Sequence, residues 1–322
     1  MSRGGIKMSK GKRSTEKNMP KVIVGLMIGL ILLLGITQFE NIDQHINNGF
    51  NEKSVGNTLE QVVAKEFENV VLNNEETFQI HFFDVGQADS ILLISNGQTM
   101  LIDAGNNNDG ELVVNNIKKL GITRIDYLIG THPHADHIGG LDDVINNLDI
   151  GQIYMPNIQT NTKTFEDVLD AISNKGLKVT TPEEGYKFNV GNIECEVILN
   201  GKMGTKNNLN LASIVIRAEY KEQSYLFMGD AENKNEETIT WKQTNVLKVG
   251  HHGSSTSSSE SFLNQIKPQI AIIQVGKDNN YNHPTKQILD RLNSLGTKIY
   301  RTDENENILI ESDGINNKVS FY

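Results

Sequence analysis

The sequence is poor in cysteine, proline and tryptophan, with one cysteine, six prolines and one tryptophan among 322 residues. The single cysteine, Cys195, excludes an intramolecular disulfide framework and a zinc site built from cysteines. No internal repeat or low-complexity run is present. With 37% hydrophobic and 22% charged residues the composition is that of a globular protein. The length allows one large domain or two modest ones.

Acidic residues outnumber basic ones after the first 21 residues. That segment carries seven basic side chains against Glu16, a balance of +6, whereas the whole chain carries −10, which leaves −16 for the other 301 residues. An acidic body of this size does not attract polyanions non-specifically. A phosphate-bearing substrate would therefore have to be held locally, by metal ions or a few placed cations.

Residues 22–39 form a run of eighteen residues without a charge, between Lys21 and Glu40. As a helix this run would span about 27 Å, close to a bilayer core of roughly 30 Å. We predict a transmembrane signal-anchor, with the basic residues 1–21 in the cytoplasm and the chain after residue 40 outside the cell membrane. A cleaved signal peptide and a buried core helix are the alternatives, although no small-x-small cleavage site follows the run.

Residues 40–76 are polar and acidic and are predicted to be a spacer that is partly helical. Six apolar residues within them fall on one helical face: Leu59, Val62, Val63, Phe67, Val70 and Val71. This face would pack on the domain that follows, or serve as a dimerisation or membrane-surface helix. The oligomeric state stays open.

Residues 77–322 are predicted to be a hydrolase domain, in which short apolar runs are separated by Gly and Asn. Strands are predicted at Phe78–Val85, Ser90–Ser95, Thr99–Asp103, Arg124–Gly130, Ile193–Leu199, Ser213–Glu219, Ser224–Met228, Val246–Val249, Ile270–Val275, Lys298–Tyr300 and Ile308–Glu311. Helices are predicted at Glu111–Leu120, Thr164–Asn174, Ser257–Ile266 and Thr285–Leu295. Because the first strands are consecutive and later ones alternate with helices, we expect two sheets with helices on their outer faces.

The segment Thr131–Gly140, with the sequence THPHADHIGG, directly follows a predicted strand. Four of its side chains are good ligands for a divalent metal: His132, His134, Asp136 and His137. Three of the chain's eight histidines lie in this one loop, which argues against an ordinary solvated loop. A proline restricts the backbone here and the pair Gly139-Gly140 frees it, as a tight ligand loop requires.

Further candidate ligands follow other predicted strands. Asp230 is a candidate carboxylate between two cations, although a Gly-Asp pair after a strand is also a common turn. His251 and His252 form a tandem pair that offers one ligand and one outward-pointing donor, and the sequence leaves open which is which. His283 is either a further ligand or a loop histidine without a role.

The motif His-x-His-x-Asp-His after a strand resembles the signature of the metallo-β-lactamase superfamily. Four further segments narrow the resemblance: Asp84–Ser90, Leu101–Gly105, Phe227–Glu232 and Val249–Ser254. Together they resemble the hydrolase domain of the ComEC competence proteins and its stand-alone relatives, which include phosphorylcholine esterases. The resemblance covers about residues 78–322 and implies an α/β fold, a four-layer αββα sandwich with the site at one edge of its sheets.

The resemblance also implies two divalent metal ions, zinc in the first place and manganese or iron as alternatives. His132 and His134 would face one ion, Asp136 and His137 the other, and Asp230 both. Three residues are candidates for a direct part in catalysis: Asp136, Asp230 and His252.

One histidine of the superfamily pattern is missing, since none lies between His137 and His251. That stretch offers Asn207, Asn208, Asn210 and Ser213 instead. If one histidine of the tandem pair completes the shell of one ion, His283 can complete the other.

Carboxylates around the ligands are expected in supporting roles. A ligating imidazole usually donates its other N–H to a carboxylate or carbonyl, and Asp103 fits that role by resemblance. Asp84, Gln87 and Asp89 belong to the first loop of the resembled subgroup and could line the cleft. Ordinary turn chemistry explains Asp84 nearly as well.

A site of this kind implies a hydroxide bridging two metals, formed near pH 7, that attacks phosphorus or an acyl carbon. Because the resembled subgroup acts on nucleic acid or on phosphodiesters of the cell envelope, the resemblance implies a membrane-anchored phosphodiesterase acting on one of these two substrates. The acidic domain argues against a long DNA track. A β-lactamase or other acyl hydrolase is one alternative, and a binding module that kept the fold but lost the metals is the other.

Overall fold

Short apolar runs form strands across residues 78–322, the part of the chain that the computed structural model describes. The strands, numbered in chain order, are β1 Phe78–Phe82, β2 Ile91–Ser95, β3 Gln98–Ile102, β4 Arg124–Ile129, β5 Asp149–Tyr154, β6 Val179–Thr180, β7 Lys187–Val190, β8 Ile193–Asn200, β9 Ile214–Tyr220, β10 Gln223–Phe227, β11 Val246–Lys248, β12 Ile270–Ile273, β13 Lys298–Arg301, β14 Ile308–Ser312 and β15 Asn317–Phe321.

Helices separate the strands. They are α1 Gly110–Lys119, α2 Ala135–Ile138, α3 Leu141–Asn147, α4 Lys163–Asn174, α5 Asn233–Glu236, α6 Glu260–Ile266, α7 Lys286–Ser294 and α8 Thr302–Asn305. Two 3-10 turns lie at Asn210–Ala212 and Gly250–Gly253. In α4, the apolar residues Phe165, Val168 and Ile172 recur at helical spacing and are buried, and the hydroxyl of Thr162 accepts the Phe165 N–H to cap the first turn.

The strands form two sheets. One has the order β15-β14-β1-β2-β3-β4-β5-β6 and the other β13-β12-β11-β10-β9-β8-β7. All five residues of β2 are buried because both of its faces are covered: Ile91 and Leu93 pack in the core between the sheets, whereas Leu92 and Ile94 pack in the core that includes α1, α3 and α4. A third core joins the second sheet to α6 and α7. The predicted sandwich of two sheets with outer helices is confirmed.

The described region contains four strands that were not predicted: β5, β6, β7 and β15. Gly151 and polar residues interrupt the apolar pattern of β5, and β15 is a mostly exposed edge strand of sequence NKVSF. The first predicted strand was also too long, since β1 ends at Phe82 rather than Val85. Helix α6 begins at Glu260 rather than Ser257 because Ser259 caps it by accepting the Phe262 N–H.

The predicted basic segment 1–21, membrane anchor 22–39 and spacer 40–76 lie outside the described residues. Within residues 78–322, no helix has both the length and the apolarity that crossing a bilayer requires.

Parallel strands bring the candidate site residues to one edge of the sandwich. β3 and β4 are parallel neighbours in the first sheet, and β10, β11 and β12 are parallel neighbours in the second. The carboxyl ends of parallel strands lie at the same edge of a sheet, and ligands bind at that edge in α/β sheets. The loops that follow these five strands carry Asp103, the histidine loop Thr131–Gly140, Asp230, the tandem histidines and His283.

Candidate metal centre

Asp230 is buried and stands between two sets of imidazole nitrogens, one at each carboxylate oxygen. Its Oδ1 lies 3.2 Å from Nε2 of His137 and 3.7 Å from Nε2 of His252. Its Oδ2 lies 3.7 Å from Nε2 of His132 and 3.6 Å from Nε2 of His251. A carboxylate with this arrangement can bridge two cations.

Two groups of potential ligand atoms share Asp230, and within each group the atoms lie within 4.8 Å of one another. The larger group is Asp136, His137, Asp230 and His252, and the smaller is His132, His134 and Asp230. In the larger group, Oδ2 of Asp136 is 3.4 Å from Nε2 of His252 and 3.9 Å from Nε2 of His137.

Three buried atoms of the larger group have no hydrogen-bond partner among the described residues: His137 Nε2, Asp230 Oδ1 and His252 Nε2. Buried polar atoms are normally bonded, so three unpartnered ones that converge on the same space call for a cation. Imidazole and carboxylate donors suit divalent zinc, manganese or iron. The residues therefore fit a metal ion.

The loop that carries the first four candidate ligands packs closely on the loop after β3. A side chain at Gly139 would place its Cβ 2.3 Å from the backbone nitrogen of Asn107, and one at Gly140 would meet the carbonyl of Ala104 at 2.4 Å. Both glycines have ordinary negative φ angles, −59° and −95°. The glycine pair is thus explained by close backbone approach and not, as the sequence indicated, by backbone freedom.

Both histidines of the tandem pair turn toward Asp230. His251 and His252 have φ angles of 49° and 50°, in the left-handed region that residues other than glycine seldom adopt. In an extended segment, neighbouring side chains would point to opposite sides. The expectation of one ligand and one outward-pointing donor stays a prediction, since His252 belongs to one of the two groups of potential ligand atoms and His251 to neither. His252 is buried, whereas the side chain of His251 is 22% exposed.

Hydrogen bonds at the Nδ1 atoms hold three of these rings with Nε2 toward Asp230. His137 Nδ1 donates to Oδ2 of Asp103 at 2.7 Å, and His252 Nδ1 donates to the carbonyl of Gln274 at 2.9 Å. His251 Nδ1 lies 2.9 Å from the hydroxyl of Thr256. Such contacts fix the tautomer and orientation of a ligating histidine.

The remaining loop residues lie outside the two groups. The side chain of Gln87 accepts the Gly276 N–H at 3.1 Å, and Asp84 accepts the Gly86 N–H at 3.1 Å. Asp89 is buried behind the rings, with Oδ1 3.3 Å from Nδ1 of His252. Through these contacts Asp84 and Gln87 stabilise the loop between β1 and β2.

Residues from the stretch between His137 and His251, where the expected histidine is missing, border the candidate metal centre. Ser213 Oγ accepts the backbone N–H of Asp230 at 3.0 Å, and Nδ2 of Asn210 lies 3.2 Å from Nε2 of His251. Asn208 donates to Glu232 at 2.7 Å beside them. Asn207 has no described contact with the group.

Lys248 was not singled out in the sequence, yet it supports the centre. Its ammonium group lies 2.7 Å from Oδ2 of Asp89 and donates to the carbonyl of Val249 at 2.9 Å. Burial opposes the charged form of Asp89, but Lys248 and His252 hold the pKa of its carboxyl below the ordinary value. The available signal was a lysine inside the otherwise apolar strand β11.

Charge at the centre is balanced between carboxylates and imidazoles. Burial opposes every charge there, yet His137 and His252 hold the pKa of Asp230 well below its usual range. At His252 the negative charges of Asp230 and Asp89 outweigh the effect of burial and raise the pKa of the ring to about 10. By contrast, burial and the charge of His137 put the pKa of His132 well below its usual range. A bound cation would displace protons from the rings of His137 and His252.

His283 lies farther out. Its ring centroid is 5.8 Å from that of His251 at an interplanar angle of 74°, and 5.8 Å from that of Tyr281 at 28°. None of the groups of potential ligand atoms among the described residues includes His283.

A family model described as "Metallo-beta-lactamase superfamily" matches residues 83–277, more than half of the chain. The chain is 29% identical over 252 residues to ComE operon protein 3 of Bacillus subtilis (strain 168), covering 71% of this chain and 32% of that protein. It is 28% identical to Recombination protein 2 of Haemophilus influenzae, covering 71% and 28%. It is also 28% identical to Competence protein ComA of Neisseria gonorrhoeae, covering 71% and 31%. The chain thus spans about a third or less of these relatives.

Proposed function

Because the chain belongs to the metallo-β-lactamase superfamily, we propose that residues 78–322 bind two divalent metal ions and hydrolyse a phosphodiester. The observation that carries the proposal is the position of Asp230, whose two oxygens face two different sets of imidazole nitrogens. A structural turn residue would need no such surroundings.

Each ion would then have four protein ligands. Asp136, His137, His252 and Asp230 would hold one of them. His132, His134, His251 and Asp230 would hold the other. In this assignment His251 takes the place of the histidine missing from the superfamily pattern, because its Nε2 lies 3.6 Å from Oδ2 of Asp230. His283 remains without a ligand role.

A pair of divalent cations, when bound, lowers the pKa of a coordinated water and stabilises the negative charge that develops during hydrolysis. The protein holds the ligands in place for this chemistry. Asp103 fixes the ring of His137 and is itself fixed by the backbone N–H and hydroxyl of Thr131, at 2.8 and 2.7 Å. Cys195 is no alternative nucleophile, since it is buried between the sheets and burial raises the pKa of its thiol.

The preferred substrate is a phosphodiester of nucleic acid, with a phosphodiester of the cell envelope as the second choice. Two of the relatives are named for competence and recombination, which are processes that act on DNA. The strongly acidic composition of the chain after residue 21 fits a short segment of nucleic acid better than a long track. Residues 22–39 would tether the domain to the membrane from the extracytoplasmic side.

The experiment is a hydrolysis screen with the full chain, loaded with zinc or manganese. The substrates are a single-stranded oligonucleotide, a phosphocholine diester, a cyclic dinucleotide and a chromogenic cephalosporin. We expect hydrolysis of one or more phosphodiesters and no opening of the lactam. Lactam opening without phosphodiester hydrolysis would favour an acyl hydrolase. No turnover with any substrate, together with no bound metal, would favour a binding module.

A further inference from the structure

Tyr281 is an exposed aromatic residue beside the metal centre. With 68% of its surface accessible, it is the most exposed of the large apolar residues in the described part of the chain. Its ring is stacked on that of His283, and His283 meets the ring of His251 edge to face. The ring centroids of His251 and His283 are 5.8 Å apart, as are those of His283 and Tyr281. The three rings therefore connect a residue near Asp230 to the exposed ring of Tyr281.

The loop that presents Tyr281 is held in shape by one amide side chain. Asn279 Oδ1 accepts the backbone N–H groups of Tyr281 and His283, both at 3.1 Å. Asn279 Nδ2 donates to the carbonyls of Gly276 and His283, at 3.0 and 2.7 Å. Four hydrogen bonds thus order a loop whose aromatic side chain is left outside. A ring exposed on an ordered support can receive a ligand with little loss of conformational entropy.

From this geometry we infer that the stacked pair of Tyr281 and His283 is a binding platform for a nucleobase of the nucleotide next to the scissile phosphate. This inference rests on the proposed function, because it assumes that a phosphodiester lies at the metal centre. The pair presents one flat ring face outward, which suits a planar base. A quaternary ammonium group prefers a cage of several aromatic rings.

Stacking also explains how an acidic protein would hold a polyanion. The chain after residue 21 carries −16, so a cationic track along the strand is not available as the main source of affinity. Base stacking on aromatic side chains does not depend on net charge and is tolerant of sequence. Binding by the metals and one platform therefore predicts a shallow dependence of affinity on salt.

The test compares two single-stranded oligonucleotides of equal length in the metal-loaded full chain, one with bases and one with abasic residues throughout. Tyr281→Ala should raise KM for the base-bearing strand by about 5- to 150-fold, the factor that corresponds to stacking of one base. It should leave the abasic strand unchanged, and Tyr281→Phe should behave as wild type. Tyr186→Ala is the matched control, since Tyr186 is also exposed and stacked on an aromatic ring, that of Phe188.

Binding is measured without turnover through Tyr281→Trp, whose fluorescence a stacked base should quench while the abasic strand does not. Equal losses for both strands in Tyr281→Ala, or no loss for either, would overturn the platform while leaving phosphodiester hydrolysis standing. Quenching of Tyr281→Trp by a phosphocholine ester but not by the oligonucleotide would overturn it as well. Cleavage of neither strand, with quenching by the base-bearing strand intact, would contradict the proposed nuclease activity and support the platform.

Discussion

The ammonium group of Lys248 lies 2.7 Å from Oδ2 of Asp89, and both side chains are almost wholly buried. Removing the lysine would leave a buried carboxylate without its cation, which typically costs about 3–5 kcal/mol of folding stability. We therefore expect Lys248→Met to lower the free energy of unfolding by about this amount in chemical denaturation.

The double variant Lys248→Met with Asp89→Asn removes both charges and should recover much of that loss, because replacing a buried ion pair is far less costly than breaking it. A loss below about 1 kcal/mol in the single variant would show that the pair does not behave as a buried ion pair.

The ligand assignment predicts different outcomes for two neighbouring histidines. His251→Ala should lower the metal content of the purified protein from two ions to one, because it removes one nitrogen facing Oδ2 of Asp230. His283→Ala should keep two ions. Metal content is read by inductively coupled plasma mass spectrometry after dialysis. The reverse pattern would restore the assignment that the sequence favoured, with His283 as a ligand.

His81 predicts a pH dependence of stability away from the metal centre. Burial lowers the pKa of His81 from 6.5 to about 4, so the folded protein holds the neutral ring. The contribution to stability is complete above pH 6.5 and is lost as pH falls toward 4, where the unfolded chain takes up the proton first. At most roughly 3 kcal/mol is involved.

The comparison is between wild type and His81→Phe, whose unfolding free energy should fall less between pH 6.5 and 4. This variant also loses the contact of His81 Nδ1 with the hydroxyl of Tyr322, 2.9 Å away, at every pH. Only the difference in slope is therefore informative. If the unfolding free energies of the two proteins changed in parallel with pH, the lowered pKa of His81 would be contradicted.

The membrane anchor predicted at residues 22–39 gives a test in cells. Because the flank before it is basic, the domain should lie outside the cell membrane. Protease added to cells stripped of their wall should then digest the domain. Protection of the domain until the cells are lysed would refute this orientation.

Much of the fold could be predicted from periodicity alone. Strands such as β2 and β3 are short, apolar and separated by an Asn-Gly turn, and both sheets and their outer helices followed from that pattern. The resemblance to the ComEC competence proteins is confirmed by the named relatives. β15 was missed because an edge strand with one solvated face has little apolar patterning to detect.

The parts of the centre that could not be predicted depend on backbone angles and long-range contacts. No local pattern shows that His251 and His252 both adopt left-handed φ angles, which is what turns the two rings toward one carboxylate. The same holds for Lys248 and Asp89, which are far apart in sequence and meet only after the sheets have packed. The candidate ligands and the bridging part of Asp230 were predicted from the motifs and the resemblance, whereas the approach of both His251 and His252 to Asp230 was not.

The most direct test of the central claim is the metal content and electron paramagnetic resonance spectrum of the manganese-loaded protein, compared between wild type and Asp230→Asn. Asparagine keeps the size of the side chain and removes the charge that would bridge two cations. We expect two ions with a spin-coupled spectrum in the wild type. The variant should lose one ion and the coupling, and phosphodiester hydrolysis should fall at least about a thousandfold, or roughly 4 kcal/mol of transition-state stabilisation. Two coupled ions and near-normal activity in Asp230→Asn would contradict the account and make Asp230 a turn residue.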